Sequence, residues 1–240
     1  LGYSIDELLQ MTPLDITENY NQETLTKLIE PLVEKKKIVV SVEGVHKRKD
    51  GTLYPVNVRM QLIHEESPPL FIAIVEDITD KKRSEKQFRT IFEESPLGVA
   101  LIDSLTGHIY EVNRKFADIV GRSLDEMATI DWMSITHPDD IQEDLDNMTA
   151  LNSGKINGFN MEKRYIKPDG KESWINKTVA KVSVEGNKHI HLAMIEDITE
   201  KKRIEKDITR FGRLLNSSSN EIYMFDASTL KFTQVNSGAC

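Results

Sequence analysis

The stretch that decides the fold is residues 76–83, EDITDKKR, which returns as residues 196–203, EDITEKKR. The second copy follows the first after 120 residues (197 − 77). Each copy ends an apolar run and opens a highly charged one, which predicts a strand that leads directly into a helix. Asp77 or Thr79 is expected to cap the first of these helices, and Asp197 or Thr199 the second. A repeated strand-to-helix exit indicates repeated modules joined by helices.

Further repeats set the module boundaries. Residues 2–8 (GYSIDEL) match residues 121–127 (GRSLDEM) after 119 residues, and residues 222–226 (IYMFD) resemble residues 99–103 (VALID) after 123. These offsets predict the back part of one module at 1–79, one complete module at about 88–199, and the front part of a third at 214–240. We call these the first, complete and third modules. Helical linkers are expected at 80–92 and 200–213.

The complete module has an ordered pattern of strands and helices. Two short strands are expected at 99–102 and 108–112, after which Asn113 caps a helix. Pro138 fits the first position of a longer helix. Three more strands are expected near 159–166, 172–184 and 189–196, with equivalents in the first module at 38–46, 53–63 and 70–76. The order of strands and helices predicts an α+β fold, an antiparallel sheet with its helices on one side.

Several motifs in this order resemble the PAS sensor-domain family. They are Val-Asn before the first helix, Gly-x-Ser-x-Asp-Glu after it, the His-Pro-Asp-Asp stretch at 137–140, the Asp-Gly hairpin and the terminal Asp-Ile-Thr. The resemblance covers nearly the whole chain. It implies tandem PAS folds, each a five-stranded antiparallel sheet that encloses, with its helices, a pocket for a small ligand or cofactor. It also implies a bacterial signalling parent, most often a sensor histidine kinase or a cyclic-dinucleotide enzyme such as a diguanylate cyclase.

Candidates for lining the pocket share a position on the predicted strands or just before the long helix. They are Trp132, Phe159, Met161, Trp174, Asn176, Val56, Val58 and Met60. Val56, Val58 and Met60 alternate with polar residues, which predicts one buried face of their strand. The inner face of the strand around Trp174 is not assigned by its pattern. Trp132 has an alternative interpretation as ordinary core, because large aromatic side chains are buried by default.

The sequence does not identify a cofactor. The blue-light branch of the family needs a reactive cysteine after the first helix, but the only cysteine is Cys240. Non-covalent flavin binding stays open, whereas haem is disfavoured because 22–34 and 138–151 contain no histidine. His189 and His191 have a spacing that a metal can use, but a surface pair at a hairpin edge is the favoured interpretation, so no metal site is expected.

Catalytic signatures are missing from the sequence. It has no phosphate-binding glycine loop and no Gly-x-Ser-x-Gly elbow, so we expect no enzymatic activity in these residues. The expected function is a sensory and dimerisation region that relays a signal through helical linkers to an output domain outside this fragment. The alternative is a ligand-free spacer and dimerisation scaffold within a multi-PAS array.

The second linker carries a seam typical of self-association. Ile204, Ile208, Phe211 and Leu215 are spaced 4, 3 and 4 residues apart, as in a coiled coil. Alternatively, these side chains pack on their own module, since two heptads are fewer than a coiled coil usually needs. If the seam pairs, the helix can carry motion from the sheet to the output domain.

The composition of the chain indicates which kinds of partner it does not bind. Lys+Arg 31 against Asp+Glu 39 gives a net charge of −8, the wrong sign for a general nucleic-acid surface. No apolar run approaches the roughly 20 residues of a membrane span, so we expect a cytoplasmic fragment without membrane contact, although the parent could be membrane-attached.

The two ends of the chain are complementary in sequence. Residues 211–240 correspond to the strands and helix that 1–79 lacks, so the two parts could complete one sheet, within one chain or between two. The alternative is that each part belongs to a separate module of a longer array.

Overall fold

The computed structural model of the protein describes residues 1–63, 68–182 and 189–240. The chain divides into two compact units, Leu1–Thr90 and Ile91–Cys240, each with its own sheet and apolar core. No helix among the described residues is long and apolar enough to span a bilayer.

The first unit has an antiparallel three-stranded sheet in the order β1-β2-β3. Helix α3 packs its Leu32 side chain against Val40 and Met60, which form the buried core. Residues of β3 are exposed along its whole length. The elements are α1 (Ile5–Leu8), α2 (Pro13–Ile16), α3 (Gln22–Val33), β1 (Val40–Lys47), β2 (Leu53–Ile63), β3 (Leu70–Asp77) and α4 (Thr79–Glu93).

The second unit contains a five-stranded antiparallel sheet in the order β5-β4-β8-β7-β6, which confirms the predicted fold. Its core lies between the sheet and helices α5 to α7. Residues 183–188, which join the strands expected near 172–184 and 189–196, fall outside the described residues. The elements are β4 (Gly98–Asp103), β5 (Ile109–Val112), α5 (Arg114–Val120), α6 (Leu124–Met127), α7 (Pro138–Asn152), β6 (Gly158–Ile166), β7 (Glu172–Lys181), β8 (Ile190–Asp197) and α8 (Thr199–Asn216).

Local signals in the sequence explain the helix boundaries. Asn113 caps α5 by accepting a hydrogen bond from the backbone N–H of Phe116, and Gly121 ends that helix with φ of 75°, a conformation that glycine adopts without strain. Pro138 occupies the first turn of α7, where its missing N–H costs nothing. His137 precedes it as the N-cap residue.

The third module forms a short antiparallel hairpin of β9 (Tyr223–Phe225) and β10 (Phe232–Val235), followed by a 3₁₀ turn at Ser237–Ala239. In the first unit, β3 pairs with β2. Completion of the first module's sheet by 211–240 stays a prediction.

Candidate functional site

One aspartate stabilises the turn at which the last strand of each sheet leads into the linker helix. Asp77 Oδ1 accepts hydrogen bonds from the backbone N–H of Thr79 (3.0 Å) and from its hydroxyl. Asp197 Oδ1 accepts from the backbone N–H of Thr199 at 2.8 Å. The Thr199 hydroxyl accepts from the backbone N–H of Trp174 at 3.0 Å, and the N–H of Ile198 donates to the Trp174 carbonyl at 2.9 Å. Helix α8 is therefore fastened at its start to β7.

One buried asparagine stabilises the junction at which α4 leads into the complete module. Asn113 Nδ2 donates to the carbonyl of Phe92 in the last turn of α4 (2.8 Å) and to that of Leu97 (3.0 Å). Asn113 Oδ1 accepts from the backbone N–H groups of Val99 on β4 (2.8 Å) and Phe116 on α5 (2.9 Å). One side chain thus joins the incoming helix, the first strand and the first helix of the module.

The third module repeats this entry. Asn236 Nδ2 donates to the carbonyl of Leu215 on α8 at 3.0 Å and to that of Asn220 at 2.9 Å. Asn236 Oδ1 accepts from the backbone N–H of Ile222 at 2.8 Å. The Val-Asn motif therefore marks the joint between a linker helix and the next module.

The first module has an apolar cavity of about 270 Å³ between α2, α3 and the sheet. The predicted residues Val58 and Met60 line it, and Val56 is fully buried on the same face of β2. Its polar groups are few. The other lining residues are Pro13, Ile16, Thr17, Tyr20, Leu25, Leu28, Ile29, Val42, His46, Phe71, Ala73 and Val75.

His46 is the titratable imidazole in that lining. Its ring is buried, and Nδ1 has no hydrogen-bond partner. Burial lowers the pKa of His46 below its usual value. A neutral imidazole with a free nitrogen is therefore presented beside the cavity.

The complete module holds a charged cluster between α7 and the sheet. Lys163 on β6 and Lys177 on β7 both donate to Asp144 on α7, and all three side chains have 0–2% of their surface exposed. Lys163 Nζ lies 2.6 Å from Asp144 Oδ2, and Lys177 Nζ lies 2.7 and 2.8 Å from the two carboxylate oxygens. Lys163 Nζ also donates to Thr136 Oγ1 at 2.8 Å. We call these three residues the Lys–Asp–Lys cluster.

Aromatic rings surround the two ammonium groups. The Trp132 ring centroid lies 5.3 Å from Lys163 Nζ and 4.8 Å from Lys177 Nζ. Tyr165 lies 4.6 Å from the first ammonium and Phe159 lies 5.5 Å from the second. Ring faces attract cations, which offsets part of the cost of removing them from water.

The pKa values of the cluster reflect its burial. Burial, reinforced by the nearby Lys177 charge, lowers the pKa of Lys163 to about 7. Burial also lowers the pKa of Lys177. Burial pushes the pKa of Asp144 upward, but the two ammonium groups outweigh it and hold that pKa below its usual value.

The cluster and the cavity occupy equivalent positions. The backbone bridges Thr17–His46 and Thr136–Tyr165 differ by 119 residues at both ends (136 − 17 and 165 − 46). The β1–β2 and β6–β7 hairpins keep the same offset in their registers. At this offset the first module has apolar residues or glycine in place of the cluster: Leu25 for Asp144, Gly44 for Lys163 and Val58 for Lys177.

The remaining candidates divide between the two faces of the sheet. Met161 is buried on the face that carries Lys163, and Phe159 packs against the same core. Trp174 and Asn176 alternate with the buried residues of β7 and lie on the opposite face, so their inclusion as pocket residues is corrected. Trp174 instead packs against the cationic groups of Arg164 and Lys202, each 5.4 Å from its ring centroid.

Sequence reasoning missed the Lys–Asp–Lys cluster, although a signal was present. Lys163 falls between Met161 and Tyr165 at the strand period of two, a polar residue in a buried row. Asp144 stands four residues before Met148 on the buried side of α7.

The interpretation of the histidine pair as a surface feature is wrong for His191. Its side chain is buried, and Nε2 lies 3.0 Å from Asn152 Oδ1 on α7. Within the described ranges, no group of three or more His, Cys, Asp or Glu side chains could hold a metal ion.

Helix α8 exposes three apolar residues of the predicted seam, Ile204, Ile208 and Phe211, which we call its apolar stripe. Ile208 and Phe211 have 67% and 63% of their surface accessible, and Ile204 has 49%. These three side chains therefore do not pack into the core of their own unit, whereas Leu215, the fourth residue of the predicted seam, is partly buried.

These features define a class of protein: tandem α+β domains, with an internal site between sheet and helices and with helical joints at entry and exit. Two family descriptions match, "PAS fold" at residues 109–195 and "PAS domain" at residues 1–80. The chain belongs to the PAS family and carries PAS sensor domains of the kind found in signalling proteins.

Relatives of this chain are much longer proteins. It is 35% identical over 124 residues to a probable diguanylate cyclase, DgcE, of Escherichia coli, covering 51% of this chain and 11% of that protein. It is 24% identical over 142 residues to the sensor histidine kinase TmoS of Ectopseudomonas mendocina, covering 59% of this chain and 14% of that protein. The PAS domain of an HTR-like protein from Haloarcula marismortui aligns with a TM-score of 0.42 and 22% identity, covering 50% of this chain and 97% of that one.

Proposed function

We propose that this chain is the sensory region of a signalling protein in which the two PAS modules have different tasks. The first module receives a small molecule in its apolar cavity. The complete module has no such task, because its internal site is filled by its own side chains, and it transmits the signal to α8. The output domain, a kinase or a diguanylate cyclase, lies elsewhere in the parent protein.

The cavity of the first module is the observation that carries this proposal. It has about 270 Å³ of space behind β1, β2 and β3, at the lower end of the size of small-molecule sites. Its lining is almost entirely aliphatic and aromatic, and a ligand would gain free energy by leaving water. A volume of this size favours a small organic molecule over haem or flavin.

The surroundings of His46 indicate which polar group the ligand carries. Its Nδ1 is buried without a partner, and such a group gains a hydrogen bond when a ligand supplies one. Since burial keeps the imidazole neutral, an uncharged ligand with one hydroxyl or amide group fits better than a carboxylic acid. The ligand class is therefore a small, mostly apolar molecule with one polar group.

The alternative, a ligand-free scaffold, is favoured in the complete module by a specific observation. Lys163, Lys177 and the ring of Trp132 fill the position where the first module has its cavity. A well-packed interior of this kind transmits strain and leaves no room for a guest.

Self-association through α8 is part of the proposal. The stripe of Ile204, Ile208 and Phe211 is exposed, and its 4-3 spacing matches a left-handed coiled coil. Two copies that pair along this stripe would carry a change in the sheet to the next module as a change in helix packing.

The ligand experiment is native mass spectrometry of the 240-residue chain, together with denaturation and analysis of any released small molecule. We expect a released compound from the wild type and none from Val58→Trp, which fills the cavity. Ala180→Trp, at a partly exposed site on the outer face of β7 in the complete module, is the control and should retain the compound. Release of the same compound from Val58→Trp would disprove the assignment to this cavity.

The association experiment is sedimentation equilibrium over a range of concentrations. Ile208→Lys places a charge in the stripe and should raise the dissociation constant of the dimer at least tenfold. Thr209→Lys adds the same charge one residue away, outside the stripe, and should change the constant little. Equal effects from both substitutions would rule out α8 as the seam.

A further inference from the structure

We propose that the complete module takes a proton as its ligand, bound and released at Lys163 in the buried Lys–Asp–Lys cluster, and that this proton controls the start of α8. This inference goes beyond the function proposed above, in which the complete module only transmits. It rests on the Lys–Asp–Lys cluster.

The net charge of the three buried side chains favours the release of one proton. With both lysines protonated, the cluster holds two positive charges against the single negative charge of Asp144. All three groups are cut off from water, so the surplus charge has no solvent to screen it. The loss of one lysine proton makes the cluster neutral overall.

Hydrogen-bond counting leads to the same conclusion. The Thr136 hydroxyl donates to the carbonyl of Trp132 at 2.7 Å, so its oxygen accepts from Lys163. Lys163 therefore has two conventional acceptors, Thr136 Oγ1 and Asp144 Oδ2. A neutral amine has two N–H bonds and satisfies both, whereas the third N–H of an ammonium group faces the rings of Tyr165 and Trp132.

The two lysines are not equivalent. Lys177 donates to both carboxylate oxygens of Asp144, while Lys163 reaches one of them. The carboxylate therefore holds the proton of Lys177 more strongly, and Lys163 is the group that releases its proton.

Other charged and titratable groups around Lys163 are few. Asp144 and Asp140 lie on α7, Lys177 on β7 and Tyr165 on β6. Asp140 is engaged by the guanidinium of Arg164 at 2.8 Å. Burial and the Lys177 charge bring the pKa of Lys163 to about 7, so its occupancy changes within the physiological range.

The sign of the coupling to stability follows from linkage. The pKa of Lys163 is about 7 in the folded chain and 10.5 without the protein environment. Between these values the unfolded chain binds more protons, so the cluster's contribution to stability rises as the pH increases from about 7 to about 10.5. Below pH 7 the protonated cluster is at its least stable.

Strand β7 connects the cluster to the linker. Lys177 lies three residues after Trp174, whose backbone N–H and carbonyl hold Thr199 and Ile198 at the start of α8. A change in the charge of the cluster alters the forces on β7 from α7, and the same strand fixes the first turn of the exit helix. The charge state of the cluster and the first turn of α8 are therefore linked through a short segment of one strand, residues 174–177.

The test is an NMR titration of the full chain carrying ¹³C-labelled lysine, with Lys163→Met and Lys177→Met used to assign the two buried resonances. We expect the Lys163 resonance to titrate with a midpoint near pH 7. In Lys177→Met the surplus charge is gone, and the midpoint should rise by more than one pH unit. A wild-type midpoint above pH 9, or an unchanged midpoint in Lys177→Met, would overturn the proposal.

Control of α8 is tested by amide hydrogen exchange of residues 199–203 at pH 6.5 and 8.0, after correction for the intrinsic rate. The wild type should show at least a threefold difference in protection between the two values. Lys163→Met, which keeps the length of the side chain without its charge, should show none. If wild type and variant behave alike, the route to the linker is disproved even if Lys163 titrates near pH 7.

Discussion

The first and complete modules place opposite chemistry on the same backbone scaffold. Where the first has Leu25, Gly44 and Val58 around an apolar cavity, the complete module has the Lys–Asp–Lys cluster and the ring of Trp132. The strand registers and the bridge to the segment before the long helix are equivalent. Four inward-facing positions therefore differ between the two interiors, and the first unit also has no counterparts of β4, β5 and α5, whose side chains pack in the core of the complete module.

This difference shows how repeated modules can divide a task. Long lysine side chains supply volume that would otherwise come from a ligand, and their charge requires a buried carboxylate as partner. If the two proposals above hold, differences at a few inward-facing positions would let the two modules respond to different inputs, one to a small apolar molecule and the other to protons.

The largest expected effect comes from giving the complete module one residue of the first. Asp144→Leu leaves two buried ammonium groups without a counter-ion and should destabilise this module by about 3–5 kcal/mol. Both tryptophans, Trp132 and Trp174, lie in the complete module, so fluorescence during urea unfolding reports on it alone.

The matched control is the triple variant Asp144→Leu, Lys163→Met and Lys177→Met. It replaces the whole cluster by apolar side chains and should cost less than about 1 kcal/mol or increase stability. A triple variant less stable than Asp144→Leu alone would mean that the charges themselves hold this core together.

A smaller difference is expected from adding volume to each module. Val179→Phe forces a ring into a filled core and should cost about 1–3 kcal/mol. Val58→Phe extends into the cavity of the first module and should change its stability by less than about 1 kcal/mol. Amide exchange of β7 and β2 measures the two effects separately, and equal costs would argue against an empty site in the first module.

The smallest expected effect concerns acid. Burial lowers the pKa of His46 below its usual 6.5, so the unfolded chain binds the proton more readily. The stability of the first module should therefore be complete above pH 6.5 and fall as the pH decreases below it. His46→Gln should remove this dependence, as measured by amide exchange of β1 between pH 7 and 5. A profile that is unchanged in His46→Gln would assign the acid response to another group.

Much of the fold was predictable, because local signals agree with the tertiary structure. The repeated EDIT stretches, the Asn113 cap and Pro138 each produce the predicted boundary. The strand alternation of Val56, Val58 and Met60 also assigns the correct inner face.

The site was less predictable, because its key residues contradict their local pattern. Lysine at an inward position looks like a surface residue until its carboxylate partner on another element is known. Trp174 and Asn176 lie on a strand whose inner face the sequence pattern does not assign, and the pleat of β7 turns them to the outer face. The pairing of Asp144 with residues 19 and 33 positions away depends on tertiary structure that no local window contains.

The asparagine joints have a consequence for the spacing of modules. Asn113 and Asn236 each join the last turn of a linker helix to the strand that follows it by hydrogen bonds, so the angle at which the chain leaves the helix is fixed locally. One residue added to or removed from a linker would rotate everything downstream by about 100° around the helix axis. In such arrays the length of a linker helix therefore sets the rotation of the module that follows, and only insertions that complete whole turns would preserve that rotation.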